Sequence, residues 1–598
     1  MPNKINPVPR SILRRTAFEL LDGEWRFELD AANRGLNERW HIQHDYTETA
    51  YFPGSIEAHL FAAKDAELAQ SLYANSDEVI AWYEREFTVP ADWSGDADKI
   101  AQLTFGACGY ETRVWLNGVQ LKTIEGEQIH YGEYTSFSYE LPLELLAPVN
   151  RLTIRVTDTV DPQIPRGKQA SRVYKRGGIW YQTISGAVRS VWVEQVNRNR
   201  LRSRLGVISS LRANLVEFDF TTLIHEPGVY RLCLSVTPQE DVESEPKKIL
   251  SRTEFELSLE AGERQQRVPM EIPGAKFWSP QAPNLYHLSA ELVAPNGNVS
   301  TIETFFGMRK ISTRGRHIYL NNEPVYLDGI LYQPGVSTFE EMQRHMVAMK
   351  RLGCNLVRVH IAGIDPRIYR IADALGLMLW VEVPSPHSST QTSRDNHWAE
   401  LQRMLVFIAS HPSIVILSLY NEDWGAEDIQ TNPETRRSLS ETFDYMRLNY
   451  PQLLIVDNDG WNHVSRRGRL SSHLLTAHVY TPDLKTWSSV LDRMTNGETK
   501  GVAAQPLITG DPYFYGGQVP LVISEWGGFG FSDYGGPGGT EEKTKRIRDF
   551  KREMRARRVA GDIYTQATSI EEETNGIIDA AGGELLVEAG LLDSNSGK

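Results

Sequence analysis

Between Gly23 and about Val196, hydrophobic and polar positions alternate in short runs. These runs are WRFEL, WYEREFTV, AQLTFGA, TRVWLNG, RLTIRVT and RSVWVEQV, and turn residues separate them. A period of two predicts half-buried strands, and many short strands are typical of an all-β sandwich. The Asn117-Gly118 pair predicts a hairpin, because Asn-Gly tolerates the positive φ angles of a two-residue turn. We expect residues 1–197 to form this first domain.

A second group of alternating runs extends from about Leu201 to Met308. Its members are VEFDFTTLI, YRLCLSVT, TEFELSLE and LYHLSAELV. A length of about 110 residues is that of an immunoglobulin-like β-sandwich. We therefore expect residues 198–308 to form a second, separate sandwich.

From Arg309 onward, short apolar runs alternate with amphipathic helical stretches. The apolar runs are VYLDGILY, NLVRVHI, LMLWVEV, IVILSLYNE, LLIVDNDGW, LLTAHVY, PLVISEWG and VAGDIYTQATS. Repeated β-α alternation predicts parallel strands, and eight of them in about 270 residues predict a (β/α)8 TIM barrel in residues 309–598. An open doubly wound sheet is the alternative. Such a sheet usually has a glycine-rich phosphate loop after its first strand, and LYQPGVSTFE is not one.

Composition and charge narrow the classes of function. The chain has 598 residues, of which 41% are hydrophobic and 23% charged, as expected of an ordinary folded protein with several domains. Its formal net charge of −14 disfavours nucleic acid and anionic membranes as partners. The one basic segment, residues 543–558, also contains acidic residues and predicts a solvated helix face.

The cysteines and the lengths of the apolar runs indicate the cellular compartment of the protein. Cys108, Cys233 and Cys354 are widely spaced within apolar runs, which predicts buried thiols rather than a disulfide framework. The first thirty residues lack a hydrophobic signal core, and every apolar run is far shorter than the about 18–20 residues of a membrane span. We therefore expect a soluble, cytoplasmic protein with no membrane partner.

Two acids end apolar runs of the predicted barrel, where catalytic groups of such barrels lie. Glu422 ends the fourth run and Glu525 ends the seventh, so their strands lie on opposite sides of an eight-stranded ring. Facing carboxyl groups suit glycosidic cleavage, in which the leaving oxygen is protonated while positive charge develops at the anomeric carbon. A separation of about 5–5.5 Å indicates direct attack by one carboxylate, and about 6.5–9.5 Å leaves room for a water. A single glutamate at such a position is more typical of an ordinary ion pair, but two on opposed strands beside aromatic residues favour the catalytic interpretation.

Further polar and aromatic residues end the same runs. Gln333 and Asp459 are among them, and nine others are candidate substrate-binding residues: Tyr332, Arg358, His360, Glu382, Asn421, Trp461, His478, Tyr480 and Trp526. The aromatic rings either pack at the barrel rim or stack on a sugar. Arg358 either forms an ordinary ion pair or lowers the pKa of a neighbouring glutamate. His360, Glu382 and His478 lack the close spacing of a metal motif, so we expect no metal and no other cofactor.

The whole chain resembles glycoside hydrolase family 2, which contains β-galactosidases, β-glucuronidases and β-mannosidases. The segments that carry the resemblance are LDGEWRF, VWLNG, HYGEYTSFSYEL, GGIWYQTISGAVRSVWVE, FWSPQAPNLYHL, FGMRKI, SLYNEDWG and VISEWGG. The resemblance implies a jelly-roll sugar-binding domain, an immunoglobulin-like domain and a catalytic barrel. It also implies a retaining mechanism in which Glu422 is the acid/base and Glu525 the nucleophile, with Asn421 on the sugar 2-hydroxyl.

The glycone is less determined than the family. NLVRVHIAGIDPRIYRIADALGLMLWVEVPS and DIYTQATSIEEETNGIID are most similar to a bacterial β-galactosidase-like branch, whose members act on several glycones, including furanosides. No Asn-x-Lys element, with which glucuronidases hold a carboxylate, is evident after Glu525. Val-His-Ile follows Arg358 in place of Ser-His-Tyr-Pro, and VEVPSPH stands where large β-galactosidases bind magnesium.

We therefore predict a retaining exo-β-glycosidase whose binding partner is a carbohydrate substrate. Hydrolysis of β-galactosides is the first candidate activity. A glucuronide, a mannoside, or a galactofuranoside or arabinofuranoside is the alternative glycone. A non-catalytic carbohydrate-binding protein on the same fold is the alternative of another class. We expect loops of the first domain, with the insertion at residues 481–519, to wall the pocket and exclude long chains. Relatives are often dimers or tetramers, so a homo-oligomer is an alternative to a monomer.

Overall fold

The computed structural model of the chain describes residues 18–593 except for 63–71, 75, 91–92, 94–95, 240–247 and 532–538. Buried hydrophobic residues in this part form a core in each of three successive regions. Two antiparallel β-sandwiches come first, and an eight-stranded parallel barrel follows. This is the multidomain fold that the sequence predicts.

The first domain consists of two antiparallel sheets. One has the order Phe18–Leu20, Val191–Asn197, Lys99–Phe105 and Phe137–Leu141. The other has the order Glu48–Phe52, Gly23–Leu29, Glu78–Phe87, Asn150–Thr159, Glu111–Leu116 and Val119–Gln120, with His130–Tyr131 beside Glu111–Leu116. A short helix spans Ile56–Ala62. The predicted hairpin is confirmed, since Asn117 and Gly118 both have positive φ between paired strands.

The second domain packs a three-stranded sheet against a four-stranded one. The first has the order Arg200–Ser210, Leu215–Ile224 and Gly262–Glu271. The second has the order Ser251–Leu259, Gly228–Pro238, Tyr286–Val293 and Val299–Phe306. Seven antiparallel strands in two sheets are the architecture of an immunoglobulin-like sandwich. A small sheet of Ile311–Arg314, His317–Leu320 and Glu323–Val325 then leads into the barrel.

The barrel contains eight parallel strands, which we number β1 to β8 in chain order. They are β1 Leu327–Tyr332, β2 Leu356–Val359, β3 Met378–Glu382, β4 Ile414–Asn421, β5 Leu454–Asp459, β6 Leu475–Val479, β7 Leu521–Gly527 and β8 Gly561–Thr565. Their order is β5-β4-β3-β2-β1-β8-β7-β6. Between β5 and β6 no ladder forms among the described residues, and single bonds such as His473 N to Ile455 O, at 2.9 Å, join the strands instead. The ring is therefore nearly closed, which rules out the open doubly wound sheet.

Helices cover the outside of the barrel. They span Phe339–Arg351, Pro366–Leu375, Gln391–Ile408, Pro433–Asn449, Leu484–Thr495 and Thr540–Ala556. Their starts follow from local sequence. Thr338 and Glu341 form a capping box, and Asp365 and Asn432 cap helices that begin with proline. The predicted insertion at residues 481–519 contributes one of these helices and the strand Ile508–Gly510, beside His463–Arg466 and Arg469–Leu470.

The basic segment departs from its prediction at one position. Most of it forms the helix Thr540–Ala556, but Lys551 is buried rather than solvated. Its ammonium group lies 2.8 Å from Asp562 and 3.1 Å from Asp328 beneath the barrel. Charge patterning alone did not show that this lysine has two buried partners.

The three cysteines are buried free thiols, as the sequence predicts. Among the described helices, none combines the length and the apolar character that crossing a membrane would require.

Candidate active site

Glu422 and Glu525 come together at the carboxyl ends of the barrel strands. Glu422 directly follows β4, and Glu525 lies near the end of β7. One oxygen of each carboxylate and one ring nitrogen of His478 all lie within 4.8 Å of one another. The two acids are partly accessible, with 15% and 8% of their side chains exposed. The pair that the sequence places on opposite strands therefore faces a common space.

The backbone after β4 holds Glu422 in an unusual conformation. Glu422 and Asp423 both have positive φ, at 50° and 63°, which is uncommon for residues other than glycine. The Glu422 amide donates to the Asp459 carbonyl at 2.9 Å, and the Asp423 amide donates to Asn458 at 3.1 Å. These bonds from β5 stabilise the turn that presents the Glu422 carboxylate. Strained backbone of this kind is often found at functional sites.

Arg358 on β2 links most of the acids. Its guanidinium lies 2.9 Å from Glu525, 2.8 Å from Glu382 and 2.7 Å from Asp459. It also donates to Asn421 Oδ1 at 2.6 Å. Burial alone would lower the pKa of Arg358, but the three carboxylates raise it above its ordinary value. The arginine is thus a permanent cation that fixes Glu525 in place.

Glu525 is held as a carboxylate. One oxygen accepts from Arg358, and the other accepts from the Tyr480 hydroxyl at 2.5 Å. Burial would raise the pKa of Glu525, but His478 and Arg358 outweigh it and the pKa is lowered. An ionised, partly accessible carboxylate is the state that a nucleophile needs.

His478 on β6 bridges the acids on either side of the site. Its Nδ1 donates to Glu422 at 2.6 Å and its Nε2 donates to Asp459 at 2.9 Å. Burial would lower the pKa of His478, but Glu525 and Asp459 raise it to about 10. The ring is therefore an imidazolium near neutral pH. One ligand atom each of Glu422, His478 and Glu525 lie within 4.8 Å of one another, and both ring nitrogens of His478 are bonded to carboxylates.

His360 and Glu382 form a second buried unit beside the pair. His360 Nδ1 lies 2.7 Å from Glu382, and the Ile361 amide donates to the same carboxylate at 3.2 Å. Burial lowers the pKa of His360 well below its usual value and raises that of Glu382 to about 7. A neutral His360 that donates through Nδ1 keeps Nε2 as an acceptor for a ligand.

Two buried donors near the pair lack a partner. The amide nitrogen of Asn421 has none, because only its oxygen is bound by Arg358. The indole N–H of half-buried Trp461 has none either, and the Trp461 ring lies 5.7 Å from that of His478. Buried polar groups are rarely left unpaired, so both donors are available to a bound ligand.

Tyr332 and Trp526 do not join this group. The Tyr332 hydroxyl bonds to His345 at 2.8 Å, beneath the helix Phe339–Arg351. Trp526 is fully buried beside Trp487 and Phe550, with ring centroids 5.9 and 6.1 Å away. Successive side chains of a strand point to opposite faces, so the residue next to Glu525 on β7 faces the helices. For these two rings the structure shows packing between the barrel and its helices, not a place in the site.

The site also contains residues that the sequence did not single out. A loop of the first domain carries Trp180, whose ring lies 4.8 Å from that of Trp424 and stacks on Tyr174 at 4.1 Å. Trp424 in turn lies 6.2 Å from the His360 ring. The same loop places Lys168 above the Trp424 ring at 5.4 Å. The first domain therefore supplies one wall of the site.

Backbone bonds dock this loop on the barrel. The amides of Arg166 and Gly167 both donate to the Ser385 carbonyl at 3.0 Å. His387 Nε2 bonds to the Gly167 carbonyl at 2.7 Å. Only the unusual length of the segment between Thr159 and Val191, which lacks alternation, could have indicated this role from the sequence.

Comparisons with known proteins agree with this arrangement. Residues 18–191 match the family profile described as "Glycosyl hydrolases family 2, sugar binding domain", and residues 208–309 match "Glycosyl hydrolases family 2". A putative β-glucuronidase of Formosa agariphila is 24% identical over 386 residues, which are 63% of this chain and 43% of that protein. A β-galactosidase of Bacteroides ovatus is 23% identical over 359 residues, 57% of this chain and 39% of that protein. The alignments span less than half of either relative.

A solved structure extends the likeness to the barrel. The β-glucuronidase from Ruminococcus gnavus in complex with D-glucuronic acid aligns over 97% of both chains, with a TM-score of 0.73 and 16% identity. At that identity the likeness concerns the fold alone. The two matched family profiles and the named relatives support membership of the chain in glycosyl hydrolases family 2, a family of glycoside hydrolases.

Proposed function

We propose that this protein is a retaining exo-β-glycosidase that removes a terminal sugar, and a β-galactoside is the first candidate substrate. One observation carries the proposal: an oxygen of Glu422 lies within 4.8 Å of an oxygen of Glu525. Retaining glycosidases have carboxyl groups about 5–5.5 Å apart, whereas inverting enzymes need about 6.5–9.5 Å to admit a water. The spacing therefore supports direct attack by one carboxylate.

In the first step Glu525 attacks the anomeric carbon. A bond forms between its carboxylate oxygen and that carbon while the glycosidic C–O bond breaks. Arg358 and Tyr480 support this role, because both bind the Glu525 carboxylate and keep it ionised. Glu422 gives its proton to the departing oxygen, so the leaving group departs as a neutral alcohol.

In the second step water releases the sugar. Glu422, now a carboxylate, takes a proton from a water molecule that attacks the anomeric carbon. The bond to Glu525 breaks and both side chains return to their starting states. His478 supports both steps from one position, since it binds Glu422 at 2.6 Å and lies 3.5 Å from Glu525. Its positive charge stabilises whichever acid is ionised.

The unpaired donors and the half-buried aromatic rings recognise the sugar in this proposal. We assign the unpaired Asn421 amide nitrogen to the hydroxyl next to the anomeric carbon. Trp461 and Trp180 offer half-buried faces on which the C–H surface of a sugar stacks. The docked loop of the first domain closes one side of the site, which favours terminal sugars over internal linkages of a polysaccharide.

A β-glucuronide is the second candidate substrate. The Formosa agariphila relative and the Ruminococcus gnavus structure both carry that name. A panel of p-nitrophenyl glycosides separates these two from mannosides and from galactofuranosides or arabinofuranosides. Binding of a sugar without turnover of any glycoside in the panel would instead support a non-catalytic carbohydrate-binding protein.

Trapping of the covalent intermediate tests the mechanism. A 2-deoxy-2-fluoro glycosyl fluoride of the preferred sugar should attach to Glu525, and mass spectrometry of the digested protein should find the label on the peptide that contains it. Glu525→Gln should abolish turnover, and azide should restore activity to Glu422→Ala on substrates with good leaving groups. Glu584→Gln, at an exposed glutamate, is the matched control. A first product with inverted anomeric configuration, or turnover retained in Glu525→Gln, would refute the proposal.

A further inference from the structure

Lys168 and Glu573 form an ion pair between two domains at the rim of the site. Lys168 lies on the docked loop of the first domain, and Glu573 follows β8. The Lys168 ammonium is 4.0 Å from Glu573 Oε2, and only 10% and 2% of the two side chains are exposed. The ammonium also lies 5.7 Å from the Tyr181 ring. At 4.0 Å the two charges attract each other but are too far apart for a direct hydrogen bond.

Both partners are held firmly. Glu573 Oε2 accepts from the Tyr181 hydroxyl and from Gln333 Nε2, the latter at 3.1 Å. Gln333 follows β1 and donates to Gln566 after β8 at 2.6 Å. The Tyr181 amide donates to the Lys168 carbonyl at 2.9 Å. The fold therefore fixes the Glu573 carboxylate and the backbone from which the Lys168 side chain extends.

The pair belongs to the same space as the catalytic acids. Lys168 lies above the ring of Trp424, two residues after Glu422. On the other side β8 is the neighbour of β7, and Thr565 at its end bonds to Tyr480 at 3.1 Å. Tyr480 in turn binds Glu525. Glu573 therefore lies on the β1/β8 side, across the ring from Asn421 at the end of β4, and Lys168 reaches it from above the ring of Trp424.

The chemistry of a pyranose fixes which substituent reaches the pair. C2 and the ring oxygen flank the anomeric carbon on opposite sides. If the 2-hydroxyl lies at Asn421, as the proposed function requires, C5 and its exocyclic C6 group extend toward β8 and β1. A group at C6 would then enter between Lys168 and Glu573.

Resting on that proposed function, we infer that Lys168 and Glu573 together bind the C6 hydroxyl of an uncharged sugar and select against a uronate. An oxygen can lie about 2.8 Å from both groups when they are 4.0 Å apart. A hydroxyl accepts from the Lys168 ammonium and donates to the Glu573 carboxylate, so it satisfies both. A uronate carboxylate has no proton to donate and would face the Glu573 carboxylate. A site built around a hydroxyl rejects analogues that lack it, because its polar groups are left unpaired.

Three substrates and two variants test this inference. The substrates are the p-nitrophenyl β-D-galactoside, its 6-deoxy analogue the β-D-fucoside, and the β-D-glucuronide. For the wild type, kcat/KM should fall by about 10- to 100-fold from galactoside to fucoside, and further for the glucuronide. Lys168→Met should lose most of its activity on the galactoside but little on the fucoside, so the ratio between them approaches one. Glu573→Gln should raise the glucuronide-to-galactoside ratio at least tenfold.

Exposed residues of the same charge provide controls. Lys175→Met, on the same loop, and Glu584→Gln should leave all three values unchanged. A wild type that hydrolyses the fucoside as well as the galactoside, or prefers the glucuronide, would overturn the inference even if neither variant folds. Turnover of glycosides with unaltered selectivity in both variants would overturn it while leaving the proposed function intact. Failure of every glycoside with the wild type would overturn both.

Discussion

Replacing Tyr480 by phenylalanine tests how Glu525, the proposed nucleophile, is kept ionised. The Tyr480 hydroxyl donates to one oxygen of Glu525 at 2.5 Å, whereas Arg358 binds the other oxygen. A hydrogen bond to a charged group contributes about 1.5–3 kcal/mol, and one pKa unit corresponds to about 1.4 kcal/mol. Loss of the hydroxyl should therefore raise the pKa of Glu525 by about 1–2 units, since this bond stabilises only the ionised form.

The direction of the effect follows from the state of the nucleophile. The pKa of Glu525 is lowered in the folded enzyme, and only the carboxylate attacks. In Tyr480→Phe the acidic limb of the kcat/KM profile should move to higher pH by about 1–2 units. The largest loss of activity is then at low pH, and the rate recovers as the pH rises toward 6.

The profile is measured between about pH 3.5 and 7 with the preferred nitrophenyl glycoside. Tyr332→Phe is a control, because it removes a tyrosine hydroxyl of the same barrel that contacts His345 and neither acid. Its acidic limb should coincide with that of the wild type. If Tyr480→Phe lowers the rate equally at every pH, the hydroxyl does not act on Glu525 ionisation and the reasoning is wrong.

Three further predictions concern the scaffold. Lys551→Met leaves buried Asp562 without its cation and Asp328 with Arg555 alone, so it should lower the free energy of unfolding by about 3–5 kcal/mol; an unchanged urea midpoint would contradict this. Gly167 has a φ of +61°, and a Cβ added there would lie 2.2 Å from the Ile361 carbonyl oxygen. Gly167→Ala should therefore displace the docked loop and reduce kcat/KM at least about tenfold. Gly178→Ala, with a φ of +58° and no neighbour within 4 Å, should keep activity. Burial lowers the pKa of His397 from its ordinary value of 6.5 to about 4, because the folded protein favours the neutral ring. This contribution to stability is fully present above pH 6.5 and is lost as the pH falls toward 4. Acidification from pH 7.5 to 4.5 should remove about 2–3 kcal/mol of that stability, and His397→Phe should lose correspondingly less in denaturant titrations.

The barrel and its acid pair could be predicted because the signals are local. Strands buried on both faces form continuous apolar runs, so the polar residue that ends each run marks the rim of the barrel. Glu422 and Glu525 were found in this way. Arg358, His360 and His478 end runs in the same way, and the structure brings them to the same acids.

The remaining features depend on relations that a single sequence does not contain. Trp526 is an exception, because it directly follows Glu525 and strand alternation already turns it away from a pocket that Glu525 faces. The burial of Lys551 depends on two aspartates from other strands. The role of Lys168 depends on the docking of one domain against another, which requires contacts between residues several hundred positions apart.

Because of the docked loop, the reaction and part of the sugar recognition reside in two different domains. The two acids of the proposed mechanism belong to the barrel, whereas Lys168, one of the groups proposed to meet the sugar, belongs to the first sandwich. Exchange of that sandwich between relatives should therefore transplant substrate preference while the turnover chemistry stays in place.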